Sequence, residues 1–154
     1  MKTKITIIIM LFGLWACSGG ESKDDASGEK NKPKTEVAPK DDGKGVGQTK
    51  SVKINDPLDM EMVNNGKAIY DLKCSACHKL SAQRVVGPGW KGLTEKRKPE
   101  WIMNMITNVD VMLDEDPVAQ KLFEECLTRM PNQNVSLAEA RDILEFIYHN
   151  DAQE

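Results

Sequence analysis

Cys74-Ser75-Ala76-Cys77-His78 places two thiols and an imidazole within five residues. Two thiols at this spacing can each add to one of a porphyrin's two vinyl groups, and the histidine that follows is then held against the iron as an axial ligand. C-x-x-C-H is the attachment pattern of a c-type haem. Other chemistries fit less well. A structural zinc site needs a second pair of ligands, and the spare candidates, Cys126 and His149, lie 23 residues apart. A thioredoxin-type dithiol wants a βαβ context, whereas the flanks here read as helices. A plain buried cysteine pair has no need of His78. The expected cofactor is therefore one covalent haem c, bound by Cys74, Cys77 and His78.

A scaffold must hold such a group, and four helices can be marked by their start signals. Asp56-Pro57 offers an N-cap with proline at the first helical position, for a helix running toward Lys73. Lys98-Pro99-Glu100 starts a second, to about Thr107, and Asp116-Pro117 a third, to about Thr128. Ser136-Leu137-Ala138-Glu139 has the pattern of a capping box and opens a fourth, to about His149. No run alternates with period two for long enough to suggest a strand. The expected fold class is all-α, with helices packed around one covalent haem. A domain this small has a thin core, and an apolar macrocycle would supply much of it. The apo form is expected to be poorly folded.

From Gly66 to Tyr148 the chain resembles a class I, mono-haem cytochrome c. Gly66 and Tyr70 lie eight and four residues before Cys74. In that family a small residue and an aromatic at those offsets let the N-terminal helix cross the C-terminal helix closely. The matching partners are Ile143 and Phe146, which share a helix face at i, i+3. Val86-Gly87-Pro88-Gly89-Trp90 matches the family's Gly-Pro segment, whose proline carbonyl accepts from the histidine's other ring nitrogen. The resemblance implies that role for Pro88. Such a bond fixes the ring and raises its basicity.

The resemblance also implies a methionine as sixth ligand, in a loop before the last helix. Met130-Pro131 sits there, 52 residues after His78. A thioether is a soft ligand that favours ferrous iron and raises the reduction potential. Met112, read as a loop residue, is the competitor. Met103 and Met105 fall within a predicted helix and read as core or haem wall. His149 would give a bis-histidine iron, but it sits at the far end of the last helix. Trp90 and Trp101 are expected in the haem crevice or the core, with either able to donate an indole N–H to a haem propionate. Cys126 reads as a buried small residue on the third helix.

The first residues speak to compartment. Lys2 and Lys4 precede an apolar run from Ile5 to Trp15, too short to span a bilayer. Residues 1–16 read as a signal peptide. Leu14-Trp15-Ala16-Cys17 resembles a bacterial lipobox, which implies lipid on Cys17 and stable membrane attachment through two or more acyl chains. Residues 17–54 are then a flexible, lipid-anchored linker. From Ser18 to Lys53 they hold 8 lysines and 7 acidic residues with no aromatic, too little apolar area to offset the entropy of ordering. A free chain of this length spans roughly 30–35 Å. Residues 55–154 form the cytochrome c domain.

The whole chain has 21 basic and 24 acidic residues. From Asn55 onward there are 11 basic and 17 acidic, a formal −6. Nucleic acid is excluded as a partner, since phosphate binding needs a basic surface. The net charge points to a partner with a basic docking face, in a small transient encounter. Val109 to Pro117 holds four of the acidic residues and reads as a solvated loop. Filled axial positions make the protein an electron carrier rather than an enzyme, a monomer on the periplasmic side of the cell envelope. It would take electrons from a membrane-bound quinol-oxidising donor and pass them to a periplasmic or membrane reductase or oxidase. The stretches Pro99-Glu100-Trp101-Ile102 and Arg129-Met130-Pro131-Asn132-Gln133 resemble small cytochromes that accompany respiratory nitrogen-oxide reduction, including nitrous oxide reductase systems. The alternative is a haem enzyme or gas sensor with a displaceable sixth ligand.

Overall fold

In a computed structural model, the described residues, 42–153, form six helices. Cys17, the signal segment and the first part of the linker lie outside them. Among the described residues there is no strand, only an isolated bridge between His78 and Arg84. None of their helices is long and apolar enough to cross a membrane.

Helix α1, Met60–Lys73, runs straight into Cys74. It starts later than Asp56-Pro57 suggests, because Asp59 is the residue whose carboxylate accepts from the Glu61 and Met62 N–H groups, at 2.9 and 3.3 Å. The Asp59 N–H in turn donates to Glu145 Oε1 at 3.0 Å, which pins the start of α1 to the last helix. That last helix, α6, spans Leu137–Asp151 and opens on a complete Ser136/Glu139 capping box. Its Ile143, Leu144 and Glu145 are wholly buried. Glu145 has Arg141 as its ion-pair partner, so the buried carboxylate is compensated.

The crossing of α1 over α6 is set by Gly66. A Cβ there would run into the Asp142 carbonyl and sit 2.9 Å from Ile143 N. One turn on, the Tyr70 and Phe146 rings pack at 5.5 Å between centroids.

Between these helices the chain makes four shorter ones. Helix α2, Leu93–Lys96, is a single turn with no start signal in the sequence. Helix α3, Pro99–Thr107, begins on its proline as expected. Helix α4, Val109–Glu115, replaces the expected acidic loop: Val109, Met112 and Leu113 are buried at helical spacing while Asp110, Asp114 and Glu115 lie outside the core. Helix α5, Pro117–Cys126, ends two residues short of the expected Thr128, at Leu127 in the left-handed conformation. Asp116 caps α5 by accepting from Ala119 N–H at 2.8 Å, and also receives the Trp101 indole N–H at 3.1 Å.

The linker assigned to residues 17–54 is corrected at its C-terminal end. Residues 42–54 are part of the folded body. Val46, Val52 and Ile54 pack against the core, but polar ties do most of the fixing. Asn104, fully buried on α3, accepts from Thr49 N–H and donates to the Lys44 and Thr49 carbonyls, all at 3.0 Å. Asn108 donates to Val46 O at 3.1 Å and Lys98 to Asp42 O at 2.6 Å. A composition argument misses this because part of the ordering comes from buried amides elsewhere in the chain, which the segment's own composition does not show.

Gly66→Ala is expected to destabilise the holoprotein by about 2 kcal/mol, as overpacking against backbone outweighs the roughly 1 kcal/mol that alanine gains in helix propensity. Thermal unfolding followed by circular dichroism reads this, and an unchanged or raised midpoint would remove the close crossing as a constraint.

Candidate functional site

The motif continues α1 by one tight turn. Cys77 N–H and His78 N–H both donate to Cys74 O, at 3.1 and 2.9 Å. The chain then folds back on itself. Gly87 N–H donates to Cys77 O at 3.1 Å, and Trp90 N–H to Lys79 O at 2.8 Å. Tyr70 OH donates to the His78 carbonyl at 2.7 Å, so α1 holds the histidine's backbone as well as its position in sequence.

This loop delivers the Pro88 carbonyl to His78 Nδ1 at 2.9 Å. The ring donates there, which leaves Nε2 as the nitrogen with a free lone pair. Burial pushes the imidazole below its ordinary pKa, with the Pro88 bond pulling the other way, so the ring is neutral at pH 7 and able to ligate a metal. Gly87 lies against the ring face: a Cβ there would come 2.7 Å from Nδ1. Trp90 supports the ring from another side at 5.5 Å between centroids and itself packs on Tyr70 at 5.0 Å. Burial pushes the Cys74 thiol up to about 11, against the opposing pull of Lys73. That is the reverse of the shift a disulfide-exchange cysteine requires. Among the described residues, no group of three or more His, Cys, Asp or Glu converges as a metal site.

Cys77 and His78 open onto a cavity of about 250 Å³. Its walls are mostly apolar, with Trp101, Ile102 and Met105 from α3 and Leu122, Phe123 and Cys126 from α5. Met130 lines the same cavity from the loop between α5 and α6. The residues present fit a haem: an apolar slot, one neutral imidazole with a committed Nδ1, one thioether sulfur, and the Cys77 thiol on the lining, with Cys74 one turn earlier and packed against the core.

The rival ligands fall elsewhere. Met112 is in α4, not a loop. It is fully buried, does not line the cavity, and its sulfur accepts from Val46 N–H at 3.0 Å. His149 also lies away from the cavity lining and bonds Gln153 at 2.8 Å. Both tryptophans line the cavity, but the Trp101 N–H is already given to Asp116. Cys126 is half-buried in the cavity wall at the end of α5, a placement that sequence spacing did not signal. The charged side chains lining the cavity are Lys96, Arg97 and Arg129, with no carboxylate among them. Local charge at the site is thus opposite to the net charge of the domain. Arg97 stacks over the Trp101 ring at 5.3 Å, a cation–π contact.

Gly87→Ala is expected to push the imidazole off its Pro88 contact, at a cost of about 2 kcal/mol for a crowded methyl. The readout is the ratio of haem absorbance to protein in purified material together with the reduction potential; wild-type values for both would show that the ring tolerates the methyl.

Comparison with known proteins agrees with this architecture. The cytochrome c family profile matches residues 63–151. A solved cytochrome c from Rhodothermus marinus is 30% identical with a TM-score of 0.68, covering 70% of this chain and 92% of that one. An engineered form of the Rhodothermus marinus protein, described as bound to a carbene intermediate, is 31% identical with a TM-score of 0.64, covering 69% and 91%. The cytochrome c domain of a Pseudomonas putida protein is 28% identical with a TM-score of 0.51, covering 57% and 89%. A search of curated protein sequences gave no match. With more than half its length matched by the profile and its helices enclosing a C-x-x-C-H cavity, the chain belongs to the cytochrome c family, whose members transfer electrons through a covalently bound haem c.

Proposed function

We propose that this protein is a lipid-anchored electron carrier of the bacterial cell envelope, working as a monomer on the periplasmic side. Cys74 and Cys77 would hold haem c by thioethers, and His78 and Met130 would ligate its iron. The single observation that carries the reading is that His78, with Nδ1 committed to Pro88, and Met130 line one apolar cavity. When bound, the haem supplies one-electron exchange between ferrous and ferric iron.

The chain's own residues tune and protect that exchange. The Pro88 carbonyl holds the His78 ring in one orientation and makes it a better donor. The Met130 thioether favours ferrous iron and lifts the potential. The α3 and α5 walls exclude water, which further favours the less charged state of the centre. With His78 and Met130 both holding the metal, the chain would leave no open position for a substrate, which suits a carrier of electrons. The donor in this reading is a membrane quinol-oxidising complex, and the acceptor is a terminal reductase or oxidase. Nitrogen-oxide reduction ranks first among acceptors on the resemblance of the Pro99–Ile102 and Arg129–Gln133 stretches. Cys17, acylated in its lipobox context, holds the protein at the membrane.

A second reading has one observation in its favour. The engineered Rhodothermus marinus relative is described with a carbene intermediate bound, so a related scaffold accommodates a small group at its centre. In that reading Met130 leaves the iron readily and the protein acts on, or senses, a small ligand.

Met130→Ala separates the two. The variant should lose the weak sulfur-to-ferric-iron charge-transfer band, and its potential should fall on the order of 0.1 V, within the roughly 0.8 V range that axial ligands command. Carbon monoxide should bind the reduced variant readily and the reduced wild type poorly. Ready binding to the wild type would favour the second reading. A second experiment tests the anchor: Cys17→Ala should move the haem protein from the membrane fraction to the soluble periplasmic fraction, and an unchanged distribution would remove the lipid from the account.

A further inference from the structure

The segment that carries Met130 is weakly held by its own backbone. Among the described residues, Leu127 N–H donates to Phe123 O at 2.9 Å as α5 closes, and Ala140 N–H donates to Ser136 O at 2.9 Å as α6 opens. No backbone-to-backbone hydrogen bond links residues 128–135 to the rest of the domain. The side-chain bonds of Asn132 and Gln133 stay inside the segment, to Asn134 N–H and Pro131 O. A loop built this way needs side chains to hold it in place, or its ligand drifts.

Two side chains reach across. Lys73 donates to Gln133 O at 3.3 Å. The more extensive tie is at Arg129, directly before Met130. Its Nη2 reaches Asp114 Oδ1 at 3.1 Å, the Asp110 carbonyl at 3.2 Å and Asp110 Oδ1 at 3.5 Å. Asp110 and Asp114 stand one turn apart on α4. Helix α4 is itself fixed, with Val109 and Met112 wholly buried and Leu113 lining the cavity. The guanidinium therefore ties the ligand loop to a rigid wall of the haem slot.

We propose that Arg129 is a positioning residue for the sixth ligand, clasping α4 through Asp110 and Asp114 so that Met130 stays on the iron. The inference rests on the reading of Met130 as axial ligand. Exposed ion pairs add little to global stability. Here the relevant equilibrium is local, at the loop between α5 and α6: Val135 and Met130 pack against the core, and the polar ties across to the rest of the domain come from Lys73 and Arg129. A small energy at Arg129 then shows as a several-fold change in the population of the open form. All three contacts are made by Nη2, and the guanidinium's delocalised charge and directed N–H groups suit the task better than the point charge of an ammonium.

The experiment uses full-length holoprotein and imidazole as the probe, since imidazole takes the ferric iron only when Met130 has left it. Arg129→Gln should bind imidazole roughly three- to tenfold more tightly, with a weakened sulfur-to-iron band, as expected for losing a small exposed ion-pair network. The double variant Asp110→Asn/Asp114→Asn should reproduce that gain, and adding Arg129→Gln to it should give no more. Arg129→Lys should recover part of the wild-type behaviour. Imidazole affinity in Arg129→Gln within about twofold of wild type, well short of the change expected from a network of pairs, would overturn the proposal. Met130→Ala serves as the separating control. Persistence of the sulfur band there would overturn the ligand assignment and the proposal with it, whereas its loss beside an unaffected Arg129→Gln would overturn the proposal alone.

Discussion

The absence of a side chain at Gly66 lets α1 lie against the backbone of α6, and the position of the haem-binding segment follows from that contact. Helix α1 ends at Lys73 and the first attachment cysteine is the next residue. Wherever α1 sits, Cys74, Cys77 and His78 are carried with it at fixed distance. Two further ties hold the same crossing: Asp59 N–H to Glu145 near the start of α1, and Tyr70 against Phe146 near its end. Three contacts spread along the helix remove its freedom to slide or rotate on α6.

Tyr70 extends this control to the ligand ring. Its hydroxyl holds the His78 carbonyl, and its ring packs on Trp90, which packs on the imidazole. A line of aromatic rings from Phe146 to His78 thus connects the interhelical contact to the imidazole. The opposite side of the slot is built differently. Met130 comes from a loop whose polar ties are sparse, so His78 is held by several hydrogen bonds and rings whereas Met130 is held by core packing and two side-chain ties to its loop.

What could be read from the sequence was local. The Pro99 and Pro117 helix starts and the Ser136 capping box are each specified within a few residues, and each stands in the structure as an element of the expected type. Helix α4 escaped because its seven residues show charge outward at three positions, which reads as loop until the burial of Val109, Met112 and Leu113 is seen. The same error placed Met112 in a loop and made it a rival ligand. The docked stretch 42–54 escaped because its ordering depends on Asn104 and Asn108, more than fifty residues away in sequence. The partners of Arg129 lie 15 and 19 residues earlier on another element, and no spacing rule pairs a loop arginine with a helix face.

Asp116 joins two helices through one carboxylate oxygen. The same Oδ1 receives the first-turn amide of α5 and the indole of Trp101 on α3, and the residue is only 2% exposed. The two walls of the slot therefore share an anchor and cannot be set apart independently. The width between them, which decides how tightly a flat ring is gripped, is governed by a residue that does not itself line the slot. A substitution there would loosen both sides together, and its effect would register at the ring although no atom of the ring was touched.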